Sequence, residues 1–151
     1  MKFPNRTIGL VLAVLMSNII NAQSLPKNSL EIKQLEAMGY EVKNADEKSD
    51  YTLVDNGTDV LVLSKNSERT AVVSSYNRRK LNDTDEFELL KVINKINTDL
   101  AYQVALGETF IAFSLYIYGP HDPKTFVKVI RLVERADNIF DSYPKLRELT
   151  R

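Results

Sequence analysis

The stretch from Thr109 to Tyr118 constrains the fold more than any other part of the sequence. It contains no glycine or proline and is rich in β-branched and aromatic residues, which predicts a long β-strand. Side chains alternate between the two faces of a strand. One face carries Ile111, Phe113, Leu115 and Ile117, and we assign it to the core beneath the predicted helices. The other face carries Phe110, Ala112, Ser114, Tyr116 and Tyr118 and is left as an aromatic surface.

Shorter strand patterns surround this stretch. Residues 51–54, 60–63 and 70–73 are apolar runs separated by polar breaks, and residues 102–106 precede the long strand. The pair Asn56-Gly57 lies between the first two runs and predicts a two-residue hairpin turn, because Asn and Gly tolerate positive φ. The runs therefore predict an antiparallel meander followed by a hairpin.

Three segments have the 3.6-residue periodicity of amphipathic helices. The first spans about 29–38, with Ser29 as the N-cap and Gly39 as the C-terminal residue, and the second spans about 84–98. The third begins at Asp122-Pro123 and ends at Pro144. The sequence predicts an α+β fold, an antiparallel sheet of about five strands with three helices mainly on one face, in the order α-β-β-β-α-β-β-α.

Residues 1–22 have the composition of a secretory signal peptide. Lys2 and Arg6 form a basic start, Ile8–Met16 is apolar, and the small residue Ala22 offers a cleavage point. The apolar run is shorter than the roughly 20 residues that span a bilayer. We predict a leader at 1–22, a flexible lead-in at 23–28 and one domain at 29–151, in the periplasm or secreted. An uncleaved N-terminal anchor and a buried amphipathic helix are the alternatives.

The composition excludes several classes of function. The chain has 20 basic and 20 acidic residues, and the leader holds two of the basic ones, so the remaining 129 residues carry a net charge of −2. Nucleic-acid binding is not expected, because the one basic cluster, at 78–80, is soon followed by acidic residues and is interpreted as a solvated loop. There is no cysteine, which excludes disulfides, thiol catalysis and Cys-ligated zinc.

Candidate catalytic groups are few. His121 is the only histidine, so a typical zinc site is not expected, and we predict that it is a solvent-facing loop residue. A hydrolase with His121 and Asp122 at its centre stays open as an alternative. The remaining carboxylate groups lie among Lys and Arg residues rather than in an apolar setting. No cofactor, no metal and no enzymatic activity are predicted.

The aromatic face of the long strand is the candidate binding surface. Exposed apolar bands of this kind are used for contacts with partner proteins or a second copy of the chain. Leu61 and Leu63 are candidates for the same face. The predicted protein-binding residues are Phe110, Tyr116, Tyr118 and Tyr76.

The order of elements and several short motifs resemble the YbjN family. They are the string LLKVINKIN at 89–97, then Tyr102, Gly107 and a long strand, and Gly39-Tyr40 after the first helix. The family is also described as bacterial sensory transduction regulators. The resemblance, over about 29–143, implies a fold like that of type III secretion chaperones, which often dimerises and binds protein segments. Asn94 and Asn97 match a family pair, and we expect them to tie the following loop to the helix end.

These observations predict an exported, non-enzymatic, chaperone-like module that binds a protein partner or forms a homodimer, with no stable membrane anchor after cleavage. A second hypothesis is a periplasmic immunity-type inhibitor of an envelope-acting toxin.

Overall fold

Six strands form one antiparallel sheet in the part of the chain that this computed structural model describes, residues 21–44 and 49–150. Five described helices pack on one face of that sheet, which we call the helix face. The strands are β1 Glu41–Asn44, β2 Thr52–Asp55, β3 Val60–Lys65, β4 Arg69–Asn77, β5 Gln103–Leu106 and β6 Phe110–Tyr118. The helices are α1 Leu30–Ala37, α2 Asp83–Asp99, α3 Pro123–Glu134, α4 Asn138–Ser142 and α5 Pro144–Thr150.

The strand order is β1-β2-β3-β4-β6-β5, so the predicted meander and final hairpin are both present. The hairpin places β6 in the sheet interior, paired with β4 over nine residues, and β5 at the edge. The strand missed by the prediction of about five is β1. Its Val42 pairs with Val54 and packs against the core, which explains why a segment next to a charged loop becomes a strand.

The first two helices agree with the prediction. Ser29 Oγ accepts a hydrogen bond from the amide of Ile32 at 3.2 Å, and Gly39 has a φ of 88° immediately after the C-cap of α1. At the start of α2, Asn82 Oδ1 accepts from the amide of Asp85 at 2.9 Å. Both caps satisfy amides that a helix end leaves free.

The third predicted helix is divided into α3 and α4, and a further helix, α5, follows it. Residues 135–137 form tight turns between α3 and α4 with i to i+3 hydrogen bonds, although neither glycine nor proline is present there. The break turns the chain so that Phe126 of α3 and Phe140 of α4 contribute to different core clusters. Pro144 ends α4 as expected, but it also begins α5, because its fixed φ suits a first helical position.

The connection between β2 and β3 is a four-residue loop instead of the predicted two-residue turn. Asp55 pairs with Val60, and within the loop only Gly57 has a positive φ, of 87°. Asn56 Oδ1 accepts hydrogen bonds from the amides of residues 58 and 59, at 2.9 and 2.7 Å. The Asn side chain thus stabilises a wider turn by bonding to the backbone locally.

Residues 23–28, predicted to be a flexible lead-in, pack against the sheet. Gln23 forms an antiparallel bridge with Lys65, and the amide of Leu25 donates to Thr52 Oγ1 at 2.8 Å. The side chain of Leu25 is buried in the core. The chain therefore joins the sheet beside β3 before α1 begins. The predicted leader up to residue 20 lies outside the described residues.

Two apolar clusters fill the helix face. The first joins α1 and α3 to β2, β3 and β4, and the second joins α2, α4 and α5 to β5 and β6. Phe113 lies in the second cluster, edge-to-face with Tyr76, Tyr102 and Phe140 at centroid distances of 5.8, 6.2 and 5.6 Å. None of the helices in the described ranges combines the length and apolar character needed to cross a membrane.

The basic cluster at 78–80 is only in part the solvated loop that we predicted, because Arg79 and Lys80 are exposed but Arg78 is not. Arg78 is buried, donates to both carboxylate oxygens of Glu86 at 2.8 and 3.0 Å, and donates to the Gly107 carbonyl at 2.8 Å. Arg79 donates to carbonyls near the end of α5, and Lys80 pairs with Glu108. Each of the three cations is therefore engaged within the domain, because the loop lies between the β5–β6 hairpin and α5.

Candidate functional site

The sheet surface opposite the helix face is the first candidate site, and we call it the far face. Cross-strand partners lie on the same face of a sheet, so the register of β2 to β6 defines the far face from Phe110 and its neighbours. It consists of Leu53, Asp55, Val60, Val62, Ser64, Arg69, Ala71, Val73, Ser75, Asn77, Gln103, Ala105, Phe110, Ala112, Ser114, Tyr116 and Tyr118.

The centre of the far face is apolar and buried. Val62, Val73, Phe110 and Ala112 form a third cluster, flanked by Tyr51 and Leu53, to which no residue of the five described helices belongs. Their exposed fractions lie between 0 and 7%. The predicted exposed aromatic band is therefore wrong for its centre, where the side chains are small or aliphatic and inaccessible.

Phe110, one of the predicted contact residues, is 1% exposed. Its ring lies against the backbone of Gly107, where a Cβ would overlap the ring atoms. Glycine at 107 thus allows the hairpin backbone to approach the aromatic ring closely, which a larger residue would prevent. Phe110 anchors one end of the far face and is not free to contact a partner directly.

Tyr116 and Tyr118 form the aromatic end of the far face. Their ring centroids are 6.3 Å apart, and the Arg69 guanidinium lies 4.6 Å from the centroid of Tyr116, in a cation–π position. Tyr118 is 66% exposed, whereas Tyr116 is half-buried, which raises the pKa of its hydroxyl. Of the four predicted contact residues, Tyr118 is the one that presents its ring to solvent.

Tyr76, the fourth predicted contact residue, lies on the helix face. It pairs with Ile111 across β4 and β6, and its ring is edge-to-face with Phe113 and Phe140 at 5.8 and 5.4 Å. Leu61 and Leu63, which were grouped with it, are also fully buried under the helices. The assignment of these three residues to the binding face is wrong, because the strand register places all three side chains on the opposite, helix-covered face.

His121 is the centre of a second candidate site. Its side chain is only 8% exposed and stacks on the ring of Phe126, at 5.8 Å and 19°, so the prediction of a solvent-facing histidine is wrong. His121 Nε2 lies 3.4 Å from Glu31 Oε1, which also accepts from Lys65 Nζ at 2.9 Å. The buried carboxylate therefore joins α1, β3 and the loop before α3.

Burial opposes ionisation of Glu31, yet its pKa is lowered. The hydrogen bond from Lys65, a backbone hydrogen bond and the charges of Lys65 and His121 together outweigh the loss of hydration. The carboxyl group therefore stays ionised and paired. A cleft of about 270 Å³ adjoins this cluster, lined in part by Leu30, Gln34 and Pro123.

The arrangement does not form the His121–Asp122 pair considered for a hydrolase. Asp122 Oδ1 accepts from the Thr125 amide at 2.8 Å, which lowers the pKa of this carboxyl group, and its function there is to cap α3. The hydroxyl of Ser29 beside the cleft accepts from a backbone amide as the cap of α1. Within residues 21–44 and 49–150, no three His, Asp or Glu side chains converge as metal ligands.

The asparagine pair on α2 has the expected structural role at one of its two positions. Asn97 Oδ1 accepts a hydrogen bond from the Val104 amide at 2.8 Å, which ties the start of β5 to the end of α2. Asn94 is exposed, and its backbone carbonyl accepts from Thr98 Oγ1 at 2.9 Å.

Comparison with known proteins adds no assignment: no protein-family model matches the chain, and neither a curated protein nor a solved structure matches it.

Proposed function

We propose that the chain is an exported, non-enzymatic, chaperone-like protein-binding module of the YbjN type, with a type III secretion chaperone-like fold. It acts in the periplasm or outside the cell after cleavage following Ala22, and it binds its partner, or a second copy, through the far face. The observation that carries the proposal is the third apolar cluster, which lies on a sheet face that no described helix covers.

The chemistry of the far face supports a protein partner. An apolar centre of Val62, Val73 and Ala112, with two tyrosines at one end, resembles the apolar core and aromatic enrichment of protein interfaces. Small side chains at the centre allow a helix or strand of a partner to approach closely. Tyr118 and Tyr116 supply the rigid aromatic contacts that carry much of the binding free energy at interfaces.

The test compares Tyr116→Ser/Tyr118→Ser with the unchanged protein. Both are produced with the leader and purified from the envelope fraction, and mass spectrometry checks that the product begins at Gln23. The readouts are suppression of the aggregation of chemically reduced insulin, by light scattering, and oligomeric mass. We expect the double variant to need several-fold more protein for equal suppression, or to lose dimer mass.

The matched control is Phe87→Ser. Phe87 is 60% exposed on α2, on the helix side of the sheet, and contacts Lys91 at 4.5 Å. The substitution Phe87→Ser therefore removes an aromatic ring that is about as exposed as that of Tyr118 from another part of the molecule. Equal loss in both variants would contradict a role specific to the far face, as would no loss in either.

A further inference from the structure

Two hairpin loops of the sheet have the same hydrogen bonds around an asparagine. The loop between β2 and β3 follows Asp55 and begins with Asn56, and the loop between β3 and β4 follows Lys65 and begins with Asn66. Asn56 Oδ1 accepts from the amides of residues 58 and 59, at 2.9 and 2.7 Å, and Asn66 Oδ1 accepts from those of residues 68 and 69, both at 2.9 Å. Each asparagine amide also donates across its loop, to the carbonyl of residue 59 at 3.2 Å or of residue 69 at 3.0 Å. The loops therefore differ mainly in the residues on either side of the asparagine.

The neighbours of Asn56 give the first loop a base and an accessible nitrogen. Asn56 is followed by Gly57, which is exposed and has no side chain to obstruct an approach to its backbone nitrogen. The Gly57 amide donates to Asp55 Oδ1 at 2.7 Å. A carboxylate at this distance is placed to accept the amide proton as a general base. In the second loop the corresponding residues are Lys65 and Ser67, so neither the carboxylate nor the glycine is present.

The side-chain amide of Asn56 is arranged as an electrophile. The two backbone amides that donate to its Oδ1 are placed like the donors that stabilise a negative charge developing on a carbonyl oxygen. The bond from the amide of residue 58 closes a ring that contains the Gly57 nitrogen, which keeps this nitrogen close to Asn56 Cγ. Holding two reacting groups together lowers the barrier between them. A cleft of about 260 Å³, lined in part by Glu41 and Lys43, opens this loop to water.

We propose that Asn56 is a site of self-modification, at which the Gly57 nitrogen attacks the Asn56 side chain and the asparagine becomes aspartate or isoaspartate with loss of ammonia. A bond forms between the Gly57 nitrogen and Asn56 Cγ as Asp55 accepts the amide proton, and the carbonyl electron pair moves onto Oδ1. The Cγ–Nδ2 bond then breaks, and the proton held by Asp55 leaves with this nitrogen as ammonia. Water opens the resulting cyclic imide at either of its carbonyl groups.

The product changes the charge of the loop. Burial raises the pKa of the Asp59 carboxyl group, a hydrogen bond from the Asn56 side chain opposes the rise, and the nearby charges of Glu134 and Asp137 add to it. A carboxylate at position 56 replaces that donor by a like charge, and isoaspartate also lengthens the main chain by one methylene group. The conversion therefore weakens the connection between β2 and β3. The inference goes beyond the proposed function and does not depend on it.

The test follows residues 56 and 66 by peptide mass spectrometry while the full chain is kept at neutral pH. Folded protein is compared with the same chain held unfolded in guanidinium chloride, which removes the loop contacts but not the Asn-Gly sequence. Asn66 is the internal control, because its loop has the same hydrogen bonds without the carboxylate. The variant Asp55→Asn keeps an oxygen that can accept from the Gly57 amide and removes the base.

We expect Asn56 to be converted several-fold faster in the folded chain than in the unfolded one, and Asn66 to be converted more slowly when folded. Asp55→Asn should slow the conversion of Asn56 in the folded chain by about tenfold or more, since a general base is lost, and should leave the unfolded rate nearly unchanged. A folded rate for Asn56 at or below the unfolded rate would overturn the proposal. Equal acceleration of Asn66, or an unchanged rate in a folded Asp55→Asn variant, would overturn it as well. If this variant does not fold, the comparison of folded and unfolded chains of the unchanged sequence decides.

A second measurement detects the cyclic imide itself. Hydroxylamine attacks such imides, and at this site it separates residues 1–56 from residues 57–151. Added to the folded protein, it should release these two fragments from the unchanged chain and about tenfold less of them from Asp55→Asn. Conversion of Asn56 without release of these fragments would contradict attack by the Gly57 nitrogen.

Discussion

The two faces of the sheet differ in what their side chains contact. On the helix face, Phe113 is surrounded by three aromatic rings from β4, the chain before β5, and α4. On the far face, the residue next to it in β6 is Ala112, which lies in a small cluster without any described helical residue. The difference shows that the two faces of one strand are packed in different ways: Phe113 lies among aromatic rings beneath the helices, whereas Ala112 contacts a smaller cluster formed within the sheet.

The largest expected effect is a difference in the free energy of unfolding between a substitution on the helix face and one on the far face. Phe113→Ala should lower the free energy of unfolding by about 3–5 kcal/mol, because a buried ring is lost and its aromatic neighbours keep a cavity between them. Tyr118→Ala on the far face should change it by less than about 0.5 kcal/mol, since this ring is mostly exposed. Urea unfolding measures both. Comparable losses would contradict the assignment of the two faces.

The next effect concerns the junction where β4 ends. Arg78→Ala should cost about 2–3 kcal/mol, because it leaves the Glu86 carboxylate and the Gly107 carbonyl without their buried donor. Lys80→Ala removes an exposed ion pair and should cost no more than about 0.5 kcal/mol. Thermal unfolding of both variants compares them, and an equal shift in the midpoint would show that Arg78 is not the supporting residue.

A smaller effect tests the anchor of the far face. Gly107→Ala should destabilise the domain by about 1–3 kcal/mol, because the added methyl group overlaps the Phe110 ring. Phe110→Leu in the same chain should restore part of that loss, as the smaller side chain makes room for the methyl group. If the double variant is less stable than the sum of the single changes, the loss comes from another contact.

The smallest effect is on the helix side, at the Glu31 cluster, and depends on pH. The pKa of Glu31 is lowered from its usual 4.5, so its ionised form stabilises the folded state above that pH, and the contribution is lost as pH falls through the folded-state pKa. Glu31→Gln should cost about 1 kcal/mol at pH 7 and less at pH 3. Urea unfolding at both values measures it, and a pH-independent difference would argue against the ion pair.

Local patterns predicted most of the fold. Ser29, Gly39 and the apolar periodicity of α2 predicted the first two helices, since capping and amphipathicity depend on residues close in sequence. The alternation in β6 correctly separated Phe113 from Phe110. The break after α3 was not predictable, because it follows from packing on two separate clusters and leaves no glycine or proline as a signal.

The candidate sites were less predictable. Tyr76 was assigned to the wrong face because the register between β4 and β6 spans α2 and β5, and a strand pattern does not contain that register. His121 was expected in solvent because its partners, Glu31 and Phe126, lie on two different helices. Glu31 and Lys65 are far apart in sequence, and no local sequence pattern indicates that they form an ion pair.

The most direct test of the central claim, that the far face is the working surface, is Ser114→Arg in the processed protein. Ser114 lies beside Val73 at the centre of the far face. Once residues 1–22 are removed, we expect the variant to unfold at the same urea concentration as the unchanged protein. It should bind the model client, reduced insulin, or a second copy about tenfold more weakly, or about 1.4 kcal/mol. A folded variant that binds as before would contradict the claim, and so would a variant that fails to fold.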